Sequence, residues 1–184
     1  FEVVFDAMSM ASLLGVLGSA LQADRALGYD MDDGGTSYLA PIERVLGTAQ
    51  FPDTVTIMAD RTLLGGAATA RWDDEGVTAA EFPLVTAGRV VDYATSREFV
   101  ATLAPWYTRH GMAVGSRGCA GAASALFRPT VQMPNLRLQP GTQDLGFDDL
   151  LSGITDGMAV LGGNFTADPK QLGVTGGKLG VIYR

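Results

Sequence analysis

A glycine-rich segment in the second half of the chain holds the side chains best suited to contact a substrate. Residues 115–121 place a guanidinium, Arg117, and a thiol, Cys119, among small residues. A glycine-rich backbone exposes its N–H groups, and a guanidinium beside them suits a carboxylate. His110, the single histidine, precedes this segment. We predict a substrate-contacting loop with Arg117, Cys119 and His110 as candidate binding residues.

The same residues are weaker candidates for nucleophilic catalysis. His110 with Ser116 or Ser124 offers an imidazole and a hydroxyl, but the chain has no Gly-x-Ser-x-Gly nucleophile elbow. Cys119 has no evident ionisable partner apart from His110, and free cysteines are more often inert and buried. We therefore predict binding roles here and no catalytic residue.

Three consecutive acidic residues, Asp73, Asp74 and Glu75, form another candidate site. Neighbouring carboxylates raise one another's pKa and attract hard cations. Consecutive side chains of an extended segment point in opposite directions, however, and Gly76 follows as a turn residue. We predict a solvated turn and no metal site.

Composition argues against several function classes. The net charge is −7 and the 13 Lys and Arg residues are scattered, so nucleic acid is not predicted as a direct partner. The most apolar stretch, residues 7–23, is interrupted by serine and glycine, which argues against a membrane span or a signal peptide. A single cysteine excludes an internal disulfide, and a reducing cytoplasm is the expected location.

Hydrophobic patterning predicts an α+β domain, built around antiparallel β-sheet or a barrel-like sheet with a few packed helices. The residues between 111 and 125 are mostly small and predict a loop. Predicted helices cover residues 8–24, 97–103 (capped by Ser96 and ended by Pro105) and 147–160. Predicted strands cover residues 1–5, 54–58, 68–72, 80–86, 89–94, 131–138, 164–166, 172–175 and 179–183.

Three segments, in this order, resemble the TldD/PmbA (TldE) family, a family of two-subunit zinc peptidases that includes proteins described as DNA gyrase modulators. They are Trp-Asp-Asp-Glu-Gly at 72–76, Val-Gln-Met-Pro-Asn-Leu at 131–136 and Asp-Asp-Leu-Leu at 148–151. The likeness covers nearly the whole chain. It implies one C-terminal-type domain over residues 1–184, as a piece of a longer chain, and Asn135 joins the candidate substrate-binding residues.

The family's peptidase subunits carry H-E-x-x-x-H on a helix after an apolar strand, where two imidazoles hold zinc and the glutamate activates water. Aligning residues 21–24 with the Leu-Glu-Ala-Asp of many members puts Leu14, Gly15 and Ser19 at the three motif positions. No shift of the alignment restores the motif, because the one histidine is His110. The resemblance therefore implies no metal and no cofactor in this chain.

Within the family, metal-free TldE/PmbA subunits pair with a zinc-bearing TldD subunit around a peptide-binding cavity. The resemblance thus implies a heterodimer, in which this chain shapes the cavity for a peptide substrate and the partner carries zinc. Two alternatives stay open. The chain could be a maturation or tailoring factor for a peptide-derived natural product, or a homodimeric module that binds a peptide or small molecule.

Overall fold

The computed structural model describes residues 2–31, 35–168, 173–176 and 180–183. In chain order its elements are β1 (Glu2–Phe5), α1 (Ala7–Ser19), α2 (Ala23–Ala26), α3 (Ile42–Val45), β2 (Ile57–Asp60), β3 (Glu81–Thr86), β4 (Arg89–Val90), α4 (Arg97–Arg109), β5 (Ala120–Gly121), β6 (Thr130–Val131), β7 (Asn135–Leu138), α5 (Phe147–Ser152), β8 (Gly157–Leu161), β9 (Phe165–Asp168), β10 (Gly173–Gly176) and β11 (Gly180–Tyr183).

The chain divides into two compact units. Unit 1 comprises Phe1–Leu17 and Pro140–Arg184, and unit 2 comprises Gly18–Gln139. In unit 1, β8 pairs in parallel with β1 and antiparallel with β11, and β9 and β10 form a separate antiparallel pair. The prediction of a single domain over residues 1–184 stays a prediction, since units of this kind also occur within one domain.

Unit 2 is built on an antiparallel sheet with the strand order β4-β3-β2-β7, beside the short pair β5 and β6. Side chains alternate along β3, where Phe82 and Leu84 are buried and Glu81 and Pro83 are exposed. Helix α4 buries Phe99, Leu103 and Tyr107 on one face. The predicted α+β class with antiparallel sheet and a few helices is therefore confirmed.

Several predicted elements have different ends in the structure. The helix predicted over 8–24 stops at Ser19, because Gln22 adopts an extended conformation and forms a bridge with Ala94. Helix α4 continues through Pro105 to Arg109 instead of ending before it. Proline costs one helical hydrogen bond, and burial of Leu103 and Tyr107 on either side offsets that loss.

Other predictions named the wrong type of element. Residues 68–72 form no strand and make only an isolated bridge, from Trp72 to Thr78. The helix predicted over 147–160 is wrong beyond Ser152, because residues 157–160 belong to strand β8. The strand predicted over 131–138 is divided into β6 and β7, and the returning hairpin strand is only Arg89–Val90.

Three predicted strands begin on residues 1, 172 and 179, which lie outside the described residues. The remaining residues of those predictions fall in or beside β1, β10 and β11. Across the described part of the chain, no helix is both long and apolar enough to cross a membrane.

Candidate functional site

Strand β3 is paired on both sides only over its second half. Strand β4 pairs with Val85 and Thr86, and the N–H groups of Val91 and Asp92 bond to the Leu84 carbonyl. Among the described residues, β3 before Leu84 has a paired neighbour on one side only, the strand β2. The first half of β3 is therefore a sheet edge.

The backbone groups on this edge follow from the pairing with β2. The Arg61 N–H donates to the Ala80 carbonyl, and Asp60 is opposite Glu81, so the N–H and C=O of Glu81 point away from β2. The Pro83 carbonyl points the same way, two residues further on. A proline fits here because the ladder with β2 needs no N–H at this position. The edge thus offers one donor and two acceptors.

Two adjoining cavities lie along this edge, and we call them together the β3 groove. The first has a volume of about 410 Å³, between Ala80–Pro83 on one side and the segment carrying Met112 and Arg117 on the other. The second, of about 340 Å³, continues toward Gly47 and His110. Both cavities are lined by Pro83, Asp92 and Met112.

A charged cluster forms the floor of the groove, with Asp92 and Tyr107 buried and Arg117 partly buried. Arg117 Nε donates to Asp92 Oδ2 over 2.5 Å, and Tyr107 OH donates to Asp92 Oδ1 over 2.8 Å. The Arg117 guanidinium also lies over the Tyr107 ring, 4.9 Å from its centroid, and donates to the Ala113 carbonyl. The cluster fixes the loop after α4 against the end of the hairpin.

Burial governs the protonation of this cluster. It raises the pKa of Asp92, while the Arg117 charge and the hydrogen bonds from Arg117, Tyr107 and the Tyr93 N–H oppose that rise. Burial also holds the pKa of Tyr107 well above its usual range, helped by the neighbouring Asp92 carboxylate. Tyr107 therefore stays a hydrogen-bond donor at neutral pH.

Of the four predicted binding residues, Arg117 and His110 line the groove. His110 is exposed, and its ring covers Gly47, whose φ is +84°. A β-carbon at Gly47 would lie 3.1 Å from His110 Cε1, so a larger residue would disturb the ring. The structure thus brings Arg117 and His110 to two cavities of one surface.

Cys119 lies behind this surface with no exposed area. Its N–H donates to the Thr95 carbonyl, and burial raises the pKa of the thiol to about 12. The thiol is therefore neutral at physiological pH and packs as an apolar side chain.

Asn135 does not line the groove, and its amide is occupied by the chain itself. Its Nδ2 donates to the Asp60 carbonyl and to Thr69 Oγ1, and its Oδ1 accepts the Ala68 N–H. It fastens the loop after β2 to strand β7. That loop borders a further cavity of about 500 Å³, lined by Thr69, Trp72 and Thr78 among others.

The acidic segment forms a turn, as predicted, but the prediction that it is solvated is wrong for Asp73. That side chain is only 5% exposed, accepts the N–H groups of Glu75 and Val77 on Oδ1 and accepts the Ala120 N–H on Oδ2. Asp74 is exposed and accepts the Ala122 N–H. Asp73 therefore ties the turn to β5.

The chain is similar to known proteins over most of its length. The family model described as the PmbA/TldA metallopeptidase C-terminal domain matches residues 1–182. The chain belongs to the TldD/PmbA family. A metalloprotease of Methanothermobacter thermautotrophicus is 33% identical over 164 residues, which are 86% of this chain and 31% of the relative. One from Methanocaldococcus jannaschii is 28% identical over 167 residues, 88% of this chain and 32% of that protein.

Solved structures of this family share the fold. TldE from Thermococcus kodakarensis superposes with a TM-score of 0.66 at 17% identity, covering 99% of this chain and 41% of that one. A proposed DNA gyrase modulator from Thermotoga maritima gives 0.64 at 17% identity, covering 90% and 32%. This TldD/PmbA chain spans about a third of the length of the curated relatives that it matches.

The positions aligned with the H-E-x-x-x-H motif lie on helix α1. Leu14 is buried, Gly15 is exposed with no heavy atom within 4 Å of an added β-carbon, and Ser19 is half-buried. None of these side chains is an imidazole or a carboxylate. Within the described residues, no three His, Cys, Asp or Glu side chains gather as a possible metal site.

The sequence did not single out Asp92, Tyr107 and Met112 as members of the site. Tyr107 lay beyond the point where Pro105 was expected to end the helix, although its spacing from Leu103 continues the apolar face of α4. That spacing was the available signal. Asp92 follows the hairpin, and nothing local to it indicates the pairing with Arg117.

Proposed function

We propose that this chain belongs to a metal-free, TldE/PmbA-like subunit of a two-subunit metallopeptidase. The main support for this proposal comes from helix α1, which has Leu14, Gly15 and Ser19 where the zinc-binding motif of the family's peptidase subunits is expected. These residues supply no imidazole to hold zinc and no carboxylate to activate water. Zinc and the catalytic step belong to a TldD-like partner.

The contribution of this chain is to shape the cavity that holds a peptide. The β3 groove supports this role, because it combines an unpaired strand edge with apolar walls. In the cytoplasm such a subunit would present an extended peptide to the zinc of its partner. The chain spans about a third of its curated relatives, so this role of the whole protein rests on the family resemblance.

Zinc content and peptidase activity test the proposal. Both are measured for the protein alone and after co-expression with its most similar homologue that carries H-E-x-x-x-H. Zinc and activity only in the complex support a non-catalytic subunit. Stoichiometric zinc and activity in the protein alone would overturn the proposal, and a stable homodimer without complex or activity would favour a binding or tailoring role.

The matched control is a variant of the partner subunit. A Glu→Gln change in the partner's own motif removes the group that activates water but keeps the zinc ligands. The complex should then retain zinc and lose activity. Activity that persists with this change would place the catalytic group elsewhere and contradict the division of roles.

A further inference from the structure

The second cavity of the β3 groove lies beside an unpaired strand edge and has mostly apolar walls. Leu46, Pro83, Val91 and Met112 line it, and the His110 ring lies at its far end. The carboxylate of Asp92, which also lines it, is already engaged by Arg117 and Tyr107. A cavity of about 340 Å³ has room for one bulky side chain.

We propose that this cavity is a specificity pocket, which takes a bulky apolar side chain of a peptide paired antiparallel with the edge of β3. The inference rests on the proposed function in one respect, that the ligand is a peptide. Main-chain hydrogen bonds provide affinity in this mode of recognition, and side-chain pockets provide selectivity.

The register follows from the edge itself. The peptide residue opposite Glu81 exchanges two hydrogen bonds with it, donating to its carbonyl and accepting its N–H. The peptide residue opposite Pro83 donates to the Pro83 carbonyl and receives nothing in return, because proline has no N–H. Residues directly opposite each other have side chains on the same face, so the second peptide side chain lies beside Pro83, at the cavity.

The charges along the groove favour an uncharged side chain at this position. Glu81 forms an ion pair with Arg137, and Asp92 forms one with Arg117, so each charge has a partner. A charged side chain would lose part of its hydration in the pocket, and neither carboxylate is free to pair with a basic one, whereas an apolar side chain gains from burial. Leucine or phenylalanine is therefore the expected occupant.

Fluorescence anisotropy with labelled hexapeptides tests the pocket. One position is varied at a time through Ala, Leu, Phe and Asp in an otherwise uncharged peptide. At one position, Phe or Leu should bind about tenfold or more tightly than Ala, and Asp no better than Ala. N-methylation of the residue two places away should weaken binding, because it removes the donor to the Glu81 carbonyl.

Two pairs of variants link this preference to the structure. Met112→Trp fills the cavity and should abolish the preference for Phe over Ala, while Met8→Trp, at an exposed position of unit 1, should retain it. Glu81→Pro removes an N–H that the ladder with β2 does not use and should weaken every peptide. Glu81→Gln keeps that N–H and removes only the charge, so its effect on binding should be much smaller than that of Glu81→Pro. Thermal unfolding of each variant confirms that it folds.

The outcomes separate the pocket from the proposed function. Peptide binding that is unchanged by both Met112→Trp and Glu81→Pro would overturn the pocket and leave the two-subunit peptidase standing. No binding of any peptide at millimolar concentration would also overturn the pocket. Absence of zinc and activity from the complex would overturn the proposed function. The response of peptide binding to the four variants would still show whether the cavity acts as a specificity pocket.

Discussion

Arg117 Nε lies 2.5 Å from Asp92 Oδ2 in the floor of the β3 groove, where Asp92 is buried and Arg117 is partly buried. The carboxylate also accepts hydrogen bonds from Tyr107 on α4 and from the Tyr93 N–H. One carboxylate thus joins the end of the hairpin, the helix and the loop after the helix. Because that loop carries Met112, the shape of the proposed pocket depends on the cluster.

Removing either partner of Asp92 should destabilise the protein. Tyr107→Phe should cost about 1–2 kcal/mol, because it deletes one hydrogen bond to a buried carboxylate. Arg117→Met should cost roughly 3 kcal/mol, because it leaves that carboxylate without its counter-charge. Urea unfolding of both single variants and the double variant measures the coupling. Losses that simply add would show that the two donors do not act through Asp92.

The Cys119 thiol should resist modification in the folded protein. It has no exposed area, and burial raises its pKa to about 12, so almost no thiolate exists at pH values near neutrality. An aromatic disulfide reagent followed by absorbance should react only after urea is added. Rapid reaction of the native protein would mean that the segment around Cys119 opens readily.

Two adjacent carboxylates should differ sharply in their effect on stability. Asp73→Ala removes the acceptor of three backbone N–H groups, one of them the buried Ala120 N–H, and should cost about 2–4 kcal/mol. Asp74→Ala is the matched control and should cost less than about 1 kcal/mol, since its contact is exposed. Equal losses in chemical unfolding would contradict the tie between this turn and β5.

Two glycines with positive φ allow the cost of backbone strain to be measured apart from the cost of steric overlap. Gly65→Ala should cost about 1 kcal/mol, because its φ is +78° but no atom lies near an added β-carbon. Gly88→Ala, with a φ of +75°, should cost roughly 3 kcal/mol or more, because the β-carbon would lie 2.3 Å from the Phe51 carbonyl oxygen. Differential scanning calorimetry of the two variants provides the comparison.

Asp6 should make stability depend on pH in the acid range. Its pKa is lowered by hydrogen bonds from Ser9, first from the side chain and then from the N–H, and by the Gly162 N–H. The charged form therefore favours folding. That contribution is present above the unfolded value of about 3.9 and is lost as pH falls through the lower folded value.

Asp6→Asn tests this direction, since asparagine also caps helices. The difference in unfolding free energy between wild type and variant should be largest above about pH 5 and should shrink as the pH falls below the ordinary carboxyl range. Urea unfolding across that range measures it. If the difference in unfolding free energy does not change with pH, the charge of Asp6 does not contribute to its hydrogen bond with the Ser9 N–H at the start of α1.

Some elements of the fold are determined by neighbouring residues in the sequence, and others by pairing with residues that are distant in the sequence. The hairpin around Ala87 and Gly88 was predictable because one turn and two neighbouring strands suffice to form it. Strand β8 was not predictable, because its apolar residues suit a helix equally well. Only the pairing with β1, where Gly157 packs against the Glu2 backbone, distinguishes the strand from a helix. Its pairing with β1 joins opposite ends of the chain.

The candidate site shows the same division. Arg117 and His110 were found from residue type, because an isolated guanidinium and a single imidazole stand out in a sequence with few charges. Their positions along one groove depend on β3, which is distant in sequence. Asn135 was placed among the binding residues from a family-like segment, and the structure shows its amide bonded to the loop after β2.

Pro83 also bears on the solubility of the sheet. An open strand edge invites a second sheet to add to it, and continued addition leads to aggregation. Pro83 interrupts the row of N–H groups, and Asp92, bonded to the Leu84 carbonyl, occupies the edge directly beyond it. A second sheet can therefore gain only a few hydrogen bonds along this edge, which opposes its continued addition.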